Sequence, residues 1–382
     1  MEYRYQLLAE TLEGFNKSGV PLVAADGDIL KAAGFADDPA IYYFIPKIIK
    51  LFGFSLESGI DIFFIGILFV SLMAGIFASV KYCKTGAGKV WAVLNILLIG
   101  YVSLRVGDLY SISPAVTLFT VPLFLFVYGK GELRMLLTFV IAAGLLCGLA
   151  NETRAHAGSA AFLFIFVFLL FEKTSARNIK ALTIGLFILG FSVPSIFFSL
   201  LVAERDRYLS DNMPGYQQEG TGNTMWHSVY IGLGYLNNPF VKQYRDDVGF
   251  SKANEIKPGV SPFSSEYENI LRGEVFETLS GHPYFAVQNF SAKGGVLLFF
   301  FVLFANVGIA ALWFYGARSD VALPLVVAIM FSALPGLLVV PYHEYLLGFF
   351  AFVVIFNFLQ VDEAFSKGVV ADMRKFASRG IV

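Results

Sequence analysis

The sequence is poor in charged residues and nearly lacks cysteine. Only 15% of its 382 residues are Asp, Glu, Lys or Arg, whereas soluble domains carry about 25%. The formal net charge of −1 excludes the strongly basic surface by which proteins bind nucleic acid. The two cysteines, Cys83 and Cys147, lie in or next to apolar segments, so a disulfide framework is not expected.

The common catalytic signatures are also missing. The sequence contains no GxxxxGK(S/T) phosphate-binding loop, no GxSxG nucleophile elbow, no HExxH zinc motif and no CxxC pair. Nucleotide hydrolysis, serine-hydrolase, zinc-protease and dithiol chemistry therefore have no sequence support. Residues 1–14, MEYRYQLLAETLEG, lack the apolar core of a secretory signal.

Long apolar runs are what the sequence has instead. Hydrophobic residues make up 57% of the chain. Runs of roughly 17–25 residues, long enough to cross a bilayer, occupy nine segments: 60–80, 90–106, 112–128, 133–150, 156–171, 181–203, 294–316, 321–340 and 345–360. We therefore predict an all-α polytopic membrane protein with about nine transmembrane helices, because helices satisfy their own backbone polar groups in lipid.

The distribution of Lys and Arg predicts the orientation. Basic residues concentrate in alternate connections and the tail: Lys81, Lys84, Lys89, Lys130, Arg134, Lys173, Arg177, Lys180, Arg318, Lys367, Arg374, Lys375 and Arg379. The opposite short connections hold only Arg154, with Arg105 at a helix end. Since basic connections stay in the cytoplasm, we expect residues 1–58 and 204–293 to lie outside.

Five parts follow from this topology. They are an outer N-terminal segment with amphipathic helices (1–58), helices one to six (59–203), a large extracytoplasmic loop (204–293), helices seven to nine (294–360) and a cytoplasmic tail (361–382). A helix from Pro283 to about Lys293 is expected to run into the next span. No apolar run precedes the outer N-terminal segment. Either the first span translocates this segment, or a transmembrane helix is missing upstream of Met1, and we expect the second.

Polar side chains gather at the predicted outer face. Asp37 and Asp38 precede Pro39 in GFADDPAIYYFIPKIIKLFGF, just before the first span, and all four histidines fall on the same face: His156, His227, His282 and His343. Charges at span ends usually face a cavity or pair with one another. The alternative for the aspartates is a solvated Asp-Pro turn.

Arg154 is the leading candidate for binding a phosphate. It ends a span in GLANETRAHAGSAAF, flanked by Glu152 and His156, and a guanidinium can hold two phosphate oxygens at once. Lys293 and Arg245 are further candidate cations. The alternative for each is a basic residue that only flanks the membrane.

Two aromatic-polar groups could form a sugar pocket. Tyr342, His343 and Glu344 form the short connection between the last two spans, and Trp226-His227 offers a stacking ring beside a polar tip. The alternatives are a hydrogen-bonded helix cap for the first group and an interfacial anchor for the second.

These stretches resemble the GT-C superfamily of membrane glycosyltransferases, which includes the protein O-mannosyltransferases and the bacterial lipid A aminoarabinose transferases. DDPAIYYFIPKIIKLFG is similar to the end of the acidic first outer loop of that family, GLANETRAHAGSAAF to a span end with a basic residue, and LPGLLVVPYHEYLLGFF to the late outer turn. FETLSGHPYFAVQNFSAKGG resembles bacterial members at the entrance to a late span. With one helix missing upstream, the loop 204–293 corresponds to the large outer loop of the family.

The resemblance implies transfer of a sugar from a polyprenyl-phosphate donor to a lipid, glycan or protein acceptor at the outer face of a bacterial inner membrane. Asp37 or Asp38 would accept the proton of the acceptor hydroxyl. The chain departs from the family here, because the catalytic acid of many members directly follows the first span; its equivalent would be Glu2 or a residue before Met1. Arg154, with Lys293 or Arg245, would bind the donor phosphate.

Other interpretations stay open at this point. No ligand spacing demands a metal, although a divalent cation held by carboxylate and histidine is an option. A transporter or lipid flippase would have polar residues at mid-bilayer and broken spans in related halves, and neither is evident in the sequence. A membrane scaffold that uses the outer loop for binding is the third interpretation.

Overall fold

A computed structural model describes residues 2–34, 38–173, 176–213, 216, 225–262, 264–316 and 319–378. Within them the chain is mainly helical, with one hairpin of strands β1 (Val23–Asp26) and β2 (Ile29–Ala32). The helices are α1 (Glu2–Ser18), α2 (Pro39–Phe52), α3 (Leu56–Tyr82), α4 (Gly86–Val106), α5 (Ile112–Lys130), α6 (Leu133–Thr153), α7 (Ser159–Phe171), α8 (Arg177–Asn212), α9 (Met225–Gly232), α10 (Asp246–Ile256), α11 (Ser265–Gly281), α12 (Pro283–Tyr315), α13 (Ser319–Leu338) and α14 (His343–Ser378). Short 3-10 helices occupy Asp108–Ser111 and Leu233–Tyr235.

The predicted fold class is confirmed. Eight helical segments of the described chain are long and apolar enough to cross a membrane: Leu56–Tyr82, Gly86–Val106, Asp108–Lys130, Leu133–Thr153, Arg177–Asn212, Pro283–Tyr315, Val321–Leu338 and His343–Gly368. The remaining predicted run, 156–171, forms α7. Its 13 residues extend about 20 Å, which is shorter than the roughly 30 Å hydrocarbon core. The chain is a multi-pass membrane protein.

Three elements differ from the sequence-based expectation. The hairpin was not predicted, because each of its strands has only four residues. The helix expected to end at 203 continues as α8 to Asn212, and the last span continues without a break through the expected tail to Ser378. The helix expected from Pro283 does run into the following span, as α12.

The chain divides into two compact units, and the first contains most of the predicted outer segments. It comprises Met1–Leu56, Ser199–Phe299 and Ala333–Leu346. Helix α1 lies so close to the hairpin that a Cβ on Gly14 would be 2.4 Å from the carbonyl oxygen of Val23. Helices α9, α10 and α11 enclose a separate core of buried Tyr230, Leu233, Val241, Tyr267, Leu271 and Val275. The described part of the large loop is therefore a packed helical layer.

The second unit comprises Glu57–Phe198, Phe300–Ser332 and Leu347–Val382 and is built around α14. The apolar window of α14 is 83% buried, against 22% for α3. Its Asn357 amide donates to Asn95 Oδ1 at 3.1 Å and to the Phe304 carbonyl at 2.8 Å, and its oxygen accepts from the Gly308 amide at 2.7 Å. One side chain of α14 thus joins α4 and α12.

A carboxylate of α14 also fixes the beginning of α4. The oxygens of fully buried Asp362 accept hydrogen bonds from the backbone amides of Lys84 and Thr85, at 3.1 and 2.9 Å, and from the Thr85 hydroxyl at 2.8 Å. A Cβ on Gly88 would be 2.3 Å from Asp362 Oδ1, so only glycine fits beside it. The negative charge lies where the helix dipole favours an anion.

Candidate functional site

The first unit buries a lysine in the N-terminal part of α12. Lys293 follows two turns of α12 that contain exposed Tyr284 and Val287, and its side chain is 0% exposed. Its Nζ lies 3.5 Å from the Leu338 carbonyl oxygen and 6.0 and 5.7 Å from the ring centres of Tyr235 and Phe290. No carboxylate in the described residues lies within ion-pair distance of it. Because a buried ammonium without an anion is costly, this position favours an anionic ligand.

A buried amide lies one turn before the lysine on the same face of α12. The Asn289 Nδ2 atom donates to the Leu233 carbonyl at 3.0 Å, whereas its buried Oδ1 has no hydrogen-bond partner among the described residues. Residues four apart lie side by side on a helix. Asn289 was not among the predicted site residues, although its i, i+4 spacing from Lys293 could have indicated it.

Three tyrosines of the first unit also contact one another near the start of α14. The hydroxyls of Tyr244 and Tyr345 are 2.8 Å apart, and the Tyr342 ring lies edge-on to Tyr244 with centres separated by 5.7 Å. At the end of α9, a Cβ on Gly232 would be 2.6 Å from the Val339 oxygen, so the two backbones meet there. The predicted residues His343 and Glu344 are exposed on the same turn.

The other predicted sugar-binding pair, Trp226 and His227, belongs to the core formed by α9, α10 and α11. The side chain of His227 is 7% exposed, and its ring nitrogens contact the Tyr267 hydroxyl and Asp246 Oδ1, the latter at 3.1 Å. The backbone amides of Trp226 and His227 donate to the Glu268 carboxylate at 3.1 and 3.3 Å. His227 is thus a hydrogen-bonded core histidine, and both ring nitrogens are already occupied.

The same contacts shift the pKa values of Asp246 and Tyr267, which lie outside the membrane spans. The hydrogen bond from His227 holds the pKa of Asp246 below its usual value, against the opposing effect of burial. Burial raises the pKa of the Tyr267 hydroxyl, helped by the nearby charges of Glu268 and Asp246. Tyr267 therefore stays protonated, which keeps its hydrogen bond to His227 intact across the physiological pH range.

The candidate cation Arg245 already has a partner. Its guanidinium forms two hydrogen bonds with the Asp247 carboxylate, at 2.9 and 3.0 Å, and both side chains are about three-fifths exposed, at 61% and 59%. Such an exposed pair contributes only about 0–1 kcal/mol. Of the two cations named beside Arg154, Lys293 has the surroundings that favour a ligand, and Arg245 does not.

The predicted aspartates lie at the start of α2. Asp38 is the residue before that helix, in extended conformation and half-buried, and its side chain does not cap the helix. Pro39 occupies the first turn, where its missing N–H costs nothing. Asp37 lies outside the described residues.

Arg154 lies in the second unit, where α6 ends. It has extended backbone, and its guanidinium stacks on the Tyr110 ring at 3.7 Å from the centre. The turn beyond it is fixed by Asn151, whose Oδ1 accepts from the Gly158 amide at 2.8 Å and whose Nδ2 donates to Ser159 Oγ at 3.0 Å. Stacking on an aromatic ring restricts the guanidinium and leaves its edges directed away from the ring.

The two residues that flank Arg154, Glu152 and His156, contact different partners. Glu152 is half-buried and hydrogen-bonded to the Ser195 side chain of α8. His156 is exposed, has a positive φ of 65°, and its ring meets Phe331 edge-on with centres 6.4 Å apart. A positive φ is uncommon outside glycine, so this backbone is strained beside the candidate cation.

One buried charged group was missed by the sequence interpretation. Arg205 is fully buried near the end of α8, and its Nη2 lies 2.6 Å from Asp206 Oδ1. The Tyr216 hydroxyl donates to the same oxygen at 2.8 Å, and the buried Oδ2 of Asp206 has no partner among the described residues. The sequence VAERDRYL was read as the start of a loop, and only the continuation of α8 shows that these charges turn inward.

The described residues contain no group of three or more His, Cys, Asp or Glu side chains arranged to hold a metal ion.

The chain was compared with known proteins and solved structures. No family model and no curated protein sequence matches the chain. Among solved structures, the chain is similar to the crystal structure of ArnT from Cupriavidus metallidurans in the apo state, with 12% sequence identity, 94% of this chain and 71% of that chain covered, and a TM-score of 0.39. ArnT belongs to the lipid A aminoarabinose transferases, one of the groups that the sequence motifs resemble.

Proposed function

We propose that this protein transfers a sugar from a polyprenyl-phosphate-linked donor to an acceptor at the outer face of the membrane, and that Lys293 binds the donor phosphate. The observation that carries the proposal is the fully buried Lys293 side chain, which has no carboxylate partner among the described residues. A protein retains such a costly charge where function needs it.

The position of Lys293 on α12 suits a lipid-linked phosphate. The lysine is the eleventh residue of a 33-residue helix whose following residues are almost all apolar. A polyprenyl phosphate has its charge at headgroup depth and its chain in the hydrocarbon, so its partner has to be a cation near a span end. The unsatisfied Asn289 oxygen, one turn away, would accept a hydrogen bond from a sugar hydroxyl.

The proposed reaction assigns one role to each group. The acceptor hydroxyl oxygen bonds to the anomeric carbon, and the bond from that carbon to the donor phosphate oxygen breaks. The polyprenyl phosphate leaves with the electron pair, which Lys293 stabilises in the transition state. Asp38 or Asp37 takes the proton of the acceptor hydroxyl. The Tyr342 turn would border the sugar. Arg154, which belongs to the second unit, stays a separate candidate for binding a phosphate.

The experiment is a transfer assay in proteoliposomes. A polyprenyl-phosphate donor with a radiolabelled sugar is incubated with the wild-type protein, with Lys293→Met and with Lys242→Met, whose lysine is exposed. Labelled acceptor should form with the wild type and Lys242→Met and be nearly absent with Lys293→Met. Equal transfer by all three proteins would refute the phosphate-binding role, and absence of transfer to every acceptor class would refute the activity.

A further inference from the structure

The second unit contains a cavity at the end of the bundle that carries the basic connections. It has a volume of about 910 Å³ and lies between the C-terminal ends of α3, α5 and α7 and the second turn of α13. Four lysines line it: Lys81, Lys84, Lys130 and Lys173. Sequence interpretation used these lysines only to orient the chain, and the proposed sugar transfer does not involve them.

The lining carries a net positive charge. Glu172 is the one acidic residue among the described lining residues, and it is engaged by the Tyr128 hydroxyl at 3.1 Å and by Lys180. No carboxylate of the described chain lies within ion-pair distance of the exposed Lys81 or Lys130 side chains. The cavity therefore offers cations whose charge is not neutralised by the neighbouring carboxylate.

The inner wall of the cavity is aromatic. The Tyr128 and Phe168 rings meet edge-on with centres 4.8 Å apart, and Lys130 Nζ lies 5.3 Å from the centre of the Phe126 ring. Phe171 is 58% exposed beside them. A cationic rim above an apolar wall matches a ligand with an anionic head and an apolar body.

We propose that this cavity binds an anionic phospholipid of the membrane leaflet on the basic side of the protein, with the phosphate at Lys81 and Lys130 and the acyl chains along Phe126 and Phe171. Basic pockets between transmembrane helices on the cytoplasmic side commonly bind anionic headgroups. A free anion would use the lysines and leave the aromatic wall without a function. This inference does not depend on the proposed sugar transfer.

Native mass spectrometry of the full-length protein in detergent tests the proposal. Phosphatidylglycerol is titrated into the wild type and into Lys81→Gln/Lys130→Gln. A charged residue near an anionic surface contributes about fivefold in affinity, so the double variant should bind on the order of 25-fold more weakly. The matched control is Lys89→Gln/Arg134→Gln, which removes two charges from the same side of the bundle without touching the cavity lining and should bind as the wild type.

An arginine variant tests for misfolding, and comparisons with a second lipid and with inorganic phosphate identify the source of the anion. Lys81→Arg/Lys130→Arg should restore binding, and phosphatidylcholine should bind far more weakly than phosphatidylglycerol. Equal binding of phosphatidylcholine would overturn the proposal, because the apolar wall alone would then suffice. Displacement of phosphatidylglycerol by millimolar inorganic phosphate, or equal weakening by the control variant, would overturn it as well.

Discussion

Replacing Lys293 with methionine should make the protein more stable and less active at once. The change keeps an unbranched side chain of similar size and removes the ammonium. In the wild type this charge is fully buried, and among the described residues its one hydrogen-bond acceptor is the Leu338 carbonyl, at 3.5 Å. Exchanging buried ionic groups for apolar ones of similar volume often stabilises a protein by about 1–4 kcal/mol.

The stability change is measurable as a melting temperature. With an unfolding entropy of about 2.1 cal/mol/K per residue, each kcal/mol shifts Tm by only about 1 °C in a chain of this length, so Lys293→Met should raise Tm by roughly 1–5 °C. The loss of a charge-assisted contact to a buried phosphate costs about 2–5 kcal/mol, which is at least a thirtyfold loss of sugar transfer. Lys242→Met removes an exposed lysine and should change neither quantity.

The assay combines thermal unfolding of the detergent-purified protein with donor binding and transfer in proteoliposomes. The reasoning requires the two effects to have opposite signs. A lower Tm together with normal transfer would show that the ammonium stabilises the fold and binds no donor. A lower Tm with lost transfer would show only that the variant is damaged, and the phosphate-binding role would be withdrawn.

Four further results are expected. Arg154→Lys should lower sugar transfer and Arg154→Ala should lower it more, with Tm nearly unchanged; full transfer by the alanine variant would exclude Arg154 from the site. Asp38→Asn should retain donor binding in a filter assay and lose turnover if Asp38 is the base, because an amide cannot take the proton; full turnover would leave Asp37 as the candidate. Asp362→Ala should lower the free energy of unfolding by about 2–4 kcal/mol, since three hydrogen bonds to the start of α4 are lost; an unchanged Tm would contradict that. The hydrogen bond to His227 lowers the pKa of Asp246. The stability that this bond contributes is therefore complete above about pH 4 and is lost as the pH falls below it. Asp246→Asn should flatten the fall in Tm between pH 4.5 and 3.

The membrane part of the fold follows closely from the sequence. Each predicted apolar run coincides with a helix because lipid forces the backbone to satisfy its own hydrogen bonds. The hairpin at Val23–Ala32 escaped prediction because four-residue strands give too short an alternation to detect. The C-terminal extension of α8 was not predicted because Arg205 and Asp206 neutralise each other inside the unit, and composition alone cannot reveal such pairing.

The candidate site was only partly predictable. Lys293 could be named because a basic residue at a span end stands out in an apolar sequence. Its surroundings include the Leu338 carbonyl and the Tyr235 ring, which are distant in the chain. His227 shows the opposite case. From sequence a histidine can be either a hydrogen-bonded core residue or a ligand-binding residue, and only the contacts to Tyr267 and Asp246 identify His227 as the first.

The central position of α14 has a consequence for how the protein is made. Asn95 and Thr85 of the early helices reach their partners, Asn357 and Asp362, only across 262 and 277 residues of chain. At about 5–20 residues per second, a ribosome needs on the order of tens of seconds to supply them. During that interval these polar groups of α4 lack the partners that α14 supplies, and unsatisfied polar groups in the bilayer are costly. Helix α14 therefore supplies these contacts only after α4 has been made, and a chain truncated before α14 would present these groups to the quality-control proteases of the membrane.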